Sequence, residues 1–239
     1  MGNQNSDAIV ARPSFKQEHE LGDASQTLLE IANHLARQHP ELRAHLSEVF
    51  AGGFAEWAAR DFSVPCPRFV KESVLKRLNL VGATWIETGT FLGETTQFLA
   101  EISSRVFTIE PEPTLYQKAR IRFGDAPNVV VVNDISENAL PSVLRDVGGN
   151  VCFWLDGHYS GGITFKGPND TPLVHELNEI GRHIERFAAT VIAIDDIRVC
   201  GKRHEYGAYP SLDYLVDWAR SNGLEWHIEY DIFIARSRQ

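Results

Sequence analysis

From residue 84 onward the chain alternates between short apolar runs and helical stretches, and this alternation restricts the fold more than any other feature. Residues 84–87, 106–110, 129–132, 151–155 and 191–194 are rich in Val and Ile, and helical patterns lie between most of them. Apolar strands separated by helices imply a parallel sheet covered on both faces. The end of the chain differs. Residues 225–229 and 232–235 are two alternating runs joined almost directly. So short a link suits an antiparallel hairpin and excludes a helical crossover.

Ahead of this region the pattern changes. Residues 1–20 are polar and read as a flexible tail, and residues 21–82 read as a helical segment. Leu28, Ile31, Ala32 and Leu35 recur at helical spacing, with Asp23 or Ser25 as the cap. Pro40 can open a second helix carrying Leu42, Leu46 and Val49, which Gly52 and Gly53 break. A third helix is expected after Pro67, with Phe69, Val70, Val74 and Leu78 on one face. These helices either cover one side of the sheet or form a lid or homodimer surface beside a pocket. The sheet domain itself is expected over residues 83–239.

Charge and composition remove several function classes. With 23 basic and 32 acidic residues the net charge is −9, and no basic stripe is present. Phosphate contacts dominate nucleic-acid affinity, so this balance opposes a nucleic-acid partner. No run of 18 apolar residues exists, which leaves no candidate membrane helix. The opening residues formally match an N-myristoylation pattern, but they lack an apolar signal core and suit a plain polar start. Cys66, Cys152 and Cys200 fit no zinc spacing and read as reduced thiols of a cytoplasmic protein.

The strongest local signal is Trp85-Ile86-Glu87-Thr88-Gly89-Thr90-Phe91-Leu92-Gly93-Glu94-Thr95-Thr96. A strand runs into a glycine turn, and a helix follows. Glycines there permit a sharp turn and close approach to a ligand. The spacing is not the Gly-x-Gly-x-x-Gly of a dinucleotide site, which disfavours a nicotinamide-dependent oxidoreductase, nor does it end in the Gly-Lys-Ser/Thr of a phosphate loop. Glu110 ends the second run and can accept both hydroxyl protons of a ribose. Asn133-Asp134 ends the third, where it would lie beside an adenine, although Asn-Asp is also ordinary turn chemistry.

With these residues the chain resembles the class I S-adenosylmethionine (SAM)-dependent methyltransferases over roughly residues 84–236. The resemblance implies a Rossmann-like α/β sheet of seven strands with the last one antiparallel. It places Glu87, Thr88, Gly89, Thr90 and Gly93 against the methionine part of SAM, Glu110 on the ribose and Asp134 near adenine. Asp156 would close the cofactor pocket.

A second constellation ends the fourth and fifth runs. Phe153-Trp154-Leu155-Asp156-Gly157-His158-Tyr159-Ser160-Gly161-Gly162 closes one, and Asp195-Asp196 closes the other. Adjacent strands would bring Asp156, Asp195 and Asp196 to one sheet edge. Clustered carboxylates repel unless protonated or bound to a cation, so Mg²⁺ is a natural occupant. Such an ion could lower the pKa of an acceptor hydroxyl. His158 is a candidate base, with Asp156 beside it. The plainer alternatives are loop-amide hydrogen bonds to Asp195 and Asp196 with Arg198 pairing one of them, and a loop-capping role for His158. The layout is similar to metal-dependent sugar O-methyltransferases of the macrocin methyltransferase group, and departs from them in the long Gly-rich stretch 157–171. That stretch is either a surface excursion or a substrate lid.

The expected function is methyl transfer from SAM to a hydroxyl of a sugar or another small-molecule acceptor. The alternative is a non-catalytic SAM-fold binding or assembly module. A nucleic-acid methyltransferase is opposed by the charge and by Asp-Gly-His-Tyr standing where an Asn/Asp-Pro-Pro-Tyr/Phe base pocket would be.

Overall fold

The structure is a computed structural model describing residues 31–32, 34–35, 37–42, 46, 53–157, 171–201, 203–204 and 207–238. The chain divides into two compact units, Met1–Ser73 and Val74–Gln239.

In the first unit the described residues include a 3₁₀ turn, Pro40–Leu42, where a helix start was expected. A short helix, α1 (Ala55–Ala59), follows. Trp57, Cys66 and Val70 are buried together, with Phe54 and Phe69 packed against them. The indole of Trp57 donates to the Ser63 carbonyl at 2.9 Å. Helix α2 (Arg68–Leu78) stands where the Phe69, Val70, Val74, Leu78 spacing requires one. It crosses the boundary between the units. Leu28, Val49 and the polar start lie outside the described residues.

The second unit holds a seven-stranded sheet. Its strands are β1 (Thr84–Thr88), β2 (Arg105–Ile109), β3 (Val129–Val132), β4 (Gly149–Leu155), β5 (Phe187–Ile194), β6 (Glu225–Glu229) and β7 (Ile232–Arg236). Their order across the sheet is β3-β2-β1-β4-β5-β7-β6. The first five are mutually parallel, and β7 runs antiparallel to both β5 and β6. This is the methyltransferase-type Rossmann-like sheet that the resemblance implied. Helices α3 (Glu94–Ile102), α4 (Pro113–Arg122), α5 (Ser136–Arg145), α6 (Leu173–His183) and α7 (Leu212–Ser221) connect the strands.

Two apolar cores follow from the period-2 alternation of side chains along each strand. On one face Ile86, Phe107, Phe153, Ile192 and Phe233 pack with residues of α5, α6 and α7. On the other, Trp85, Val106, Cys152, Val191 and Ile234 pack with Val74, Leu75 and Leu78 of α2 and Leu99 of α3. The alternation also sets the fate of two polar residues. Glu87 shares the face of Trp85 and lies toward α3. Thr88 shares the face of Ile86 and lies toward α6.

Local sequence signals set the helix ends. Glu112 caps α4 by accepting from the Leu115 amide at 2.7 Å, and Pro113 occupies the first helical position. Ser211 caps α7 by accepting from the Tyr214 amide. A two-residue ladder pairs Arg203–His204 with Gly207–Ala208 ahead of α7.

Candidate functional site

Because β1, β2, β4 and β5 are parallel, their C-terminal ends open on one edge, where ligands of open α/β sheets bind. Four chain segments converge there: the glycine loop after β1, Glu110 after β2, Asp156 after β4 and Asp195 after β5.

The glycine loop turns through Gly89 and Gly93, both in the left-handed region at φ +87° and +77°. Close approach is indeed required, but to the chain itself. A Cβ on Gly89 would stand 2.7 Å from the Asp156 carbonyl oxygen, and one on Gly93 would stand 2.8 Å from the Phe123 ring. The glycines therefore pack the loop tightly onto β4 and the end of α4. Thr90 is buried within the loop, whereas Phe91 and Leu92 are exposed.

Glu87 lies at the bottom of this loop with no solvent exposure. Its Oε2 accepts from Thr96 Oγ1 at 2.5 Å and from Thr108 Oγ1 at 2.7 Å, and the Thr108 hydroxyl also meets Thr90 Oγ1 at 2.5 Å. Its Oε1 is buried and makes no hydrogen bond. Burial pushes the Glu87 carboxyl up to about 7, against the pull of the two threonine hydroxyls, with further upward pushes from Asp156 and Glu110. Thr96 and Thr108 were not expected from the sequence. The available signal was a hydroxyl at an otherwise apolar, buried position of a helix and a strand.

Glu110 is buried and clasps the loop. Its Oε2 accepts from the Phe91 amide at 2.8 Å and its Oε1 from the Glu112 amide at 2.9 Å. Each oxygen retains capacity for a further hydrogen bond, since an ionised carboxylate offers about four acceptor sites. Burial raises the Glu110 pKa, and the two backbone amides oppose that rise. Asn133 Nδ2 donates to the Glu110 carbonyl at 2.8 Å, tying the end of β3 to the end of β2. Asp134 is exposed, and its Oδ1 accepts from the Ile135 amide at 2.8 Å and from Asn138 Nδ2 at 3.1 Å. Its visible work is to organise the start of α5.

The second constellation departs from expectation. The Asp156 amide continues the ladder to the Thr88 carbonyl, and the Asp195 amide continues it to the Leu155 carbonyl, so both aspartates sit at the sheet edge. Asp196 turns away. It adopts a left-handed conformation, φ +58°, and its Oδ1 takes Arg198 Nη1 at 2.5 Å. Arg198 also ion-pairs with Asp231 and donates its amide to Asp231 Oδ1 at 2.8 Å. Among the described residues no three His, Cys, Asp or Glu side chains are placed to hold a metal ion. The guanidinium of Arg198 balances Asp196, the plainer of the two arrangements weighed for it, and nothing among the described residues supports Mg²⁺ on Asp156, Asp195 and Asp196. His158 and most of the 157–170 stretch lie outside the described residues.

A cleft opens beyond these aspartates, lined by Asp156, Gly157, Leu173, Glu176, Asp195 and Tyr209 among others. Glu176, on α6, was not expected to take part. It is 1% exposed, and Oε1 has no partner. Burial pushes its carboxyl up to about 7, partly offset by the nearby Ser136 and Thr88 hydroxyls, with Glu137 and Asp156 adding to the rise. The sequence did carry a signal: Leu173, Glu176, Leu177 and Ile180 share the buried face of α6, so an acid stands in an apolar stripe. Burial and the nearby aspartates keep the Tyr209 phenol strongly protonated.

No protein-family model matches this chain, and no curated protein does. Solved structures of similar architecture include an rRNA methylase from Streptococcus thermophilus, at 15% identity and TM-score 0.44, covering 72% of this chain and 96% of that one. Precorrin-6y C5,15-methyltransferase from Geobacter metallireducens aligns at 14% identity and TM-score 0.44, over 70% and 88% of the two chains. Fibrillarin from Aeropyrum pernix, in complex with natively bound S-adenosyl-L-methionine, aligns at 15% identity and TM-score 0.44, over 71% and 74%.

Proposed function

We propose that this chain is a SAM-dependent methyltransferase acting on a hydroxyl of a sugar or another small-molecule acceptor. The observation that carries the reading is the clasp of the glycine loop by Glu110. A buried carboxylate at the end of β2 is held by amides on both sides, within a sheet of order β3-β2-β1-β4-β5-β7-β6. Glu110 keeps acceptor capacity for the vicinal hydroxyls of a ribose. The orphaned Oε1 of Glu87 and the acidic edge at Asp156 suit the cationic methionine part of SAM. Glu87, Thr88, Gly89, Thr90 and Gly93 would line that part, and Asp134 would flank the adenine. These residues fit the cofactor.

Bound there, SAM supplies a methyl group already activated on its sulfonium. The remaining tasks belong to the protein: aligning the acceptor and removing its proton. Asp156, at the edge between the loop and the acceptor cleft, would orient the acceptor. His158 would take the proton. Leu155, Leu173 and Ile194 give the cleft an apolar wall that limits water. The net charge of −9 favours a small acceptor over nucleic acid.

Thermal unfolding with and without SAM or S-adenosylhomocysteine tests cofactor binding, since a ligand at 100 times its Kd stabilises by about 2.7 kcal/mol. A methyl-transfer assay against hydroxyl-bearing small molecules then separates catalysis from a non-catalytic binding role. No stabilisation by either cofactor form would sink the reading.

A further inference from the structure

We propose that Arg122, at the end of α4, is a positioning residue for the cofactor, holding the glycine loop in the turn that Glu110 clasps. This rests on the methyltransferase reading and adds to it a residue that grips the loop rather than the ligand.

The loop carries a strained turn. The Gly93 amide donates to the Thr90 carbonyl at 2.8 Å, which closes a four-residue turn with Phe91 and Leu92 at its centre. Phe91 takes the first central position at φ +49°. A positive φ there is the habit of Gly, Asn and Asp, because Cβ crowds the backbone of other residues. For a bulky residue such a conformation persists only where the surroundings over-determine it. Side-chain burial supplies little of that hold, since Phe91 is 48% exposed and Leu92 49%.

Two charged side chains grip the backbone instead. Ahead of the strained residue, Glu110 Oε2 accepts from the Phe91 amide at 2.8 Å. Behind it, Arg122 Nη1 donates to the Leu92 carbonyl at 2.6 Å. Carboxylate meets amide and guanidinium meets carbonyl, so both bonds are of the stronger, charge-assisted kind. They come from opposite ends of α4: Glu110 stands just before Pro113 opens the helix, and Arg122 is its last residue. Arg122 is itself set in place. Its Cζ lies 5.5 Å from the centre of the Phe123 ring, and that buried ring packs against Gly93. Glu110 has to serve the loop and a ribose together. Without Arg122 the strained turn would rest on Glu110 alone. Relaxation of Phe91 to negative φ would then swing its amide off the carboxylate and disturb the group that is to meet the ribose.

A double-variant cycle tests this, because it asks whether Arg122 acts through the strain at Phe91. Phe91→Asn keeps a side chain but accepts the left-handed conformation readily. In the native background Arg122→Met should weaken S-adenosylhomocysteine binding about tenfold by calorimetry, and in the Phe91→Asn background less than about threefold. Hydrogen exchange at the Gly93 amide, read on the ligand-free chain, should follow the same pattern: faster in Arg122→Met and largely restored in the double variant. Arg122 is exposed, so the variants should fold; Arg122→Ala replaces Arg122→Met if it does not. Unchanged affinity in Arg122→Met, or an equal loss in both backgrounds, would overturn the positioning role. If S-adenosylhomocysteine does not bind the native chain, the methyltransferase reading fails instead. The exchange comparison then judges the hold of Arg122 on the loop by itself, and equal Gly93 exchange in the native chain and Arg122→Met would overturn it.

Discussion

Glu87 and Thr108 are register partners on adjacent parallel strands, and the Thr108 hydroxyl donates to Glu87 Oε2 across 2.7 Å. A carboxyl group thus sits inside a sheet, with Thr108 beside it on one strand and Trp154 on the other. Two hydroxyls stabilise one of its oxygens, and the other is buried without a hydrogen bond.

Removing either donor strands part of that carboxylate. Thr108→Val and Thr96→Val should each destabilise the fold by about 1–3 kcal/mol, the usual cost of orphaning a buried polar group. Both donors serve one oxygen, so the double variant should cost less or more than the sum by a measurable coupling. Urea unfolding of the two single variants and the double variant measures it. Strict additivity would contradict the shared-acceptor geometry.

Stability should also depend on pH in a particular direction. Glu87 and Glu176 both have their pKa raised from 4.5 to about 7 by burial. Between these values the unfolded chain loses the protons and the folded chain keeps them. Their joint effect is therefore to lower stability as pH rises from about 4.5 to 7, and to level off above that. Full expression of one such shift is on the order of 3 kcal/mol. Replacing both with Gln should flatten this fall, as read from chemical unfolding at a series of pH values. A fall of equal size in the double variant would assign it to other groups.

The two loop glycines should respond differently to Ala. At Gly89 the new methyl meets a backbone carbonyl, which cannot move aside, and φ is +87°. At Gly93 it meets the Phe123 ring. Gly93→Ala should regain stability when combined with Phe123→Leu, while Gly89→Ala has no single-residue partner able to relieve it. Left-handed strain of about 1 kcal/mol remains in both. Thermal melts of the four proteins distinguish the cases, and rescue of Gly89→Ala by a side-chain change would refute the backbone contact.

Glu110→Ala should weaken SAM binding by about 1.5–3 kcal/mol, the scale of hydrogen bonds to a charged group. Part of that loss should be indirect, because the Phe91 and Glu112 amides lose their shared acceptor. Calorimetry on the folded variant reads the total, and hydrogen exchange at the Phe91 amide reads the indirect part. Unchanged SAM affinity would remove Glu110 from the cofactor site.

Arg198 stands between Asp196 and Asp231, and Asp231 is buried. Arg198→Met leaves that carboxylate without its cation and should cost about 3 kcal/mol, whereas Asp231→Asn with Arg198→Met should recover much of it. Equilibrium unfolding of the single and double variants provides the check.

The architecture was legible in the sequence because apolar runs of strand length, and the near-contact of the last two, leave little freedom. The expected run 191–194 is the second half of β5, which begins at Phe187 and passes through Ala188 and Ala189, residues that carry no strong strand signal. Glu110 stood out because it ends an apolar run. Glu176 was overlooked because it lies within a helix, where a single acid reads as a solvated residue until its neighbours Leu173, Leu177 and Ile180 are placed on the same face. Asp196 was grouped with Asp195 by adjacency alone. Its pairing with Arg198, two residues on, was the plainer alternative the sequence offered, and the tie of Arg198 to Asp231 at the β6–β7 turn is the long-range part.

The hairpin at the end of the chain bears on synthesis. Strand β7, which fills the slot beside β5, is made of Ile232, Phe233, Ile234 and Ala235, all without exposure, followed by Arg236. A chain leaving the ribosome at about 5–20 residues per second therefore presents β5 as an open edge for a period on the order of seconds. During that interval its row of unpaired amides and carbonyls is a template for any extended strand nearby. Loss of the residues from 232 onward would make that exposure permanent, so truncation there should yield aggregated rather than merely weakened protein.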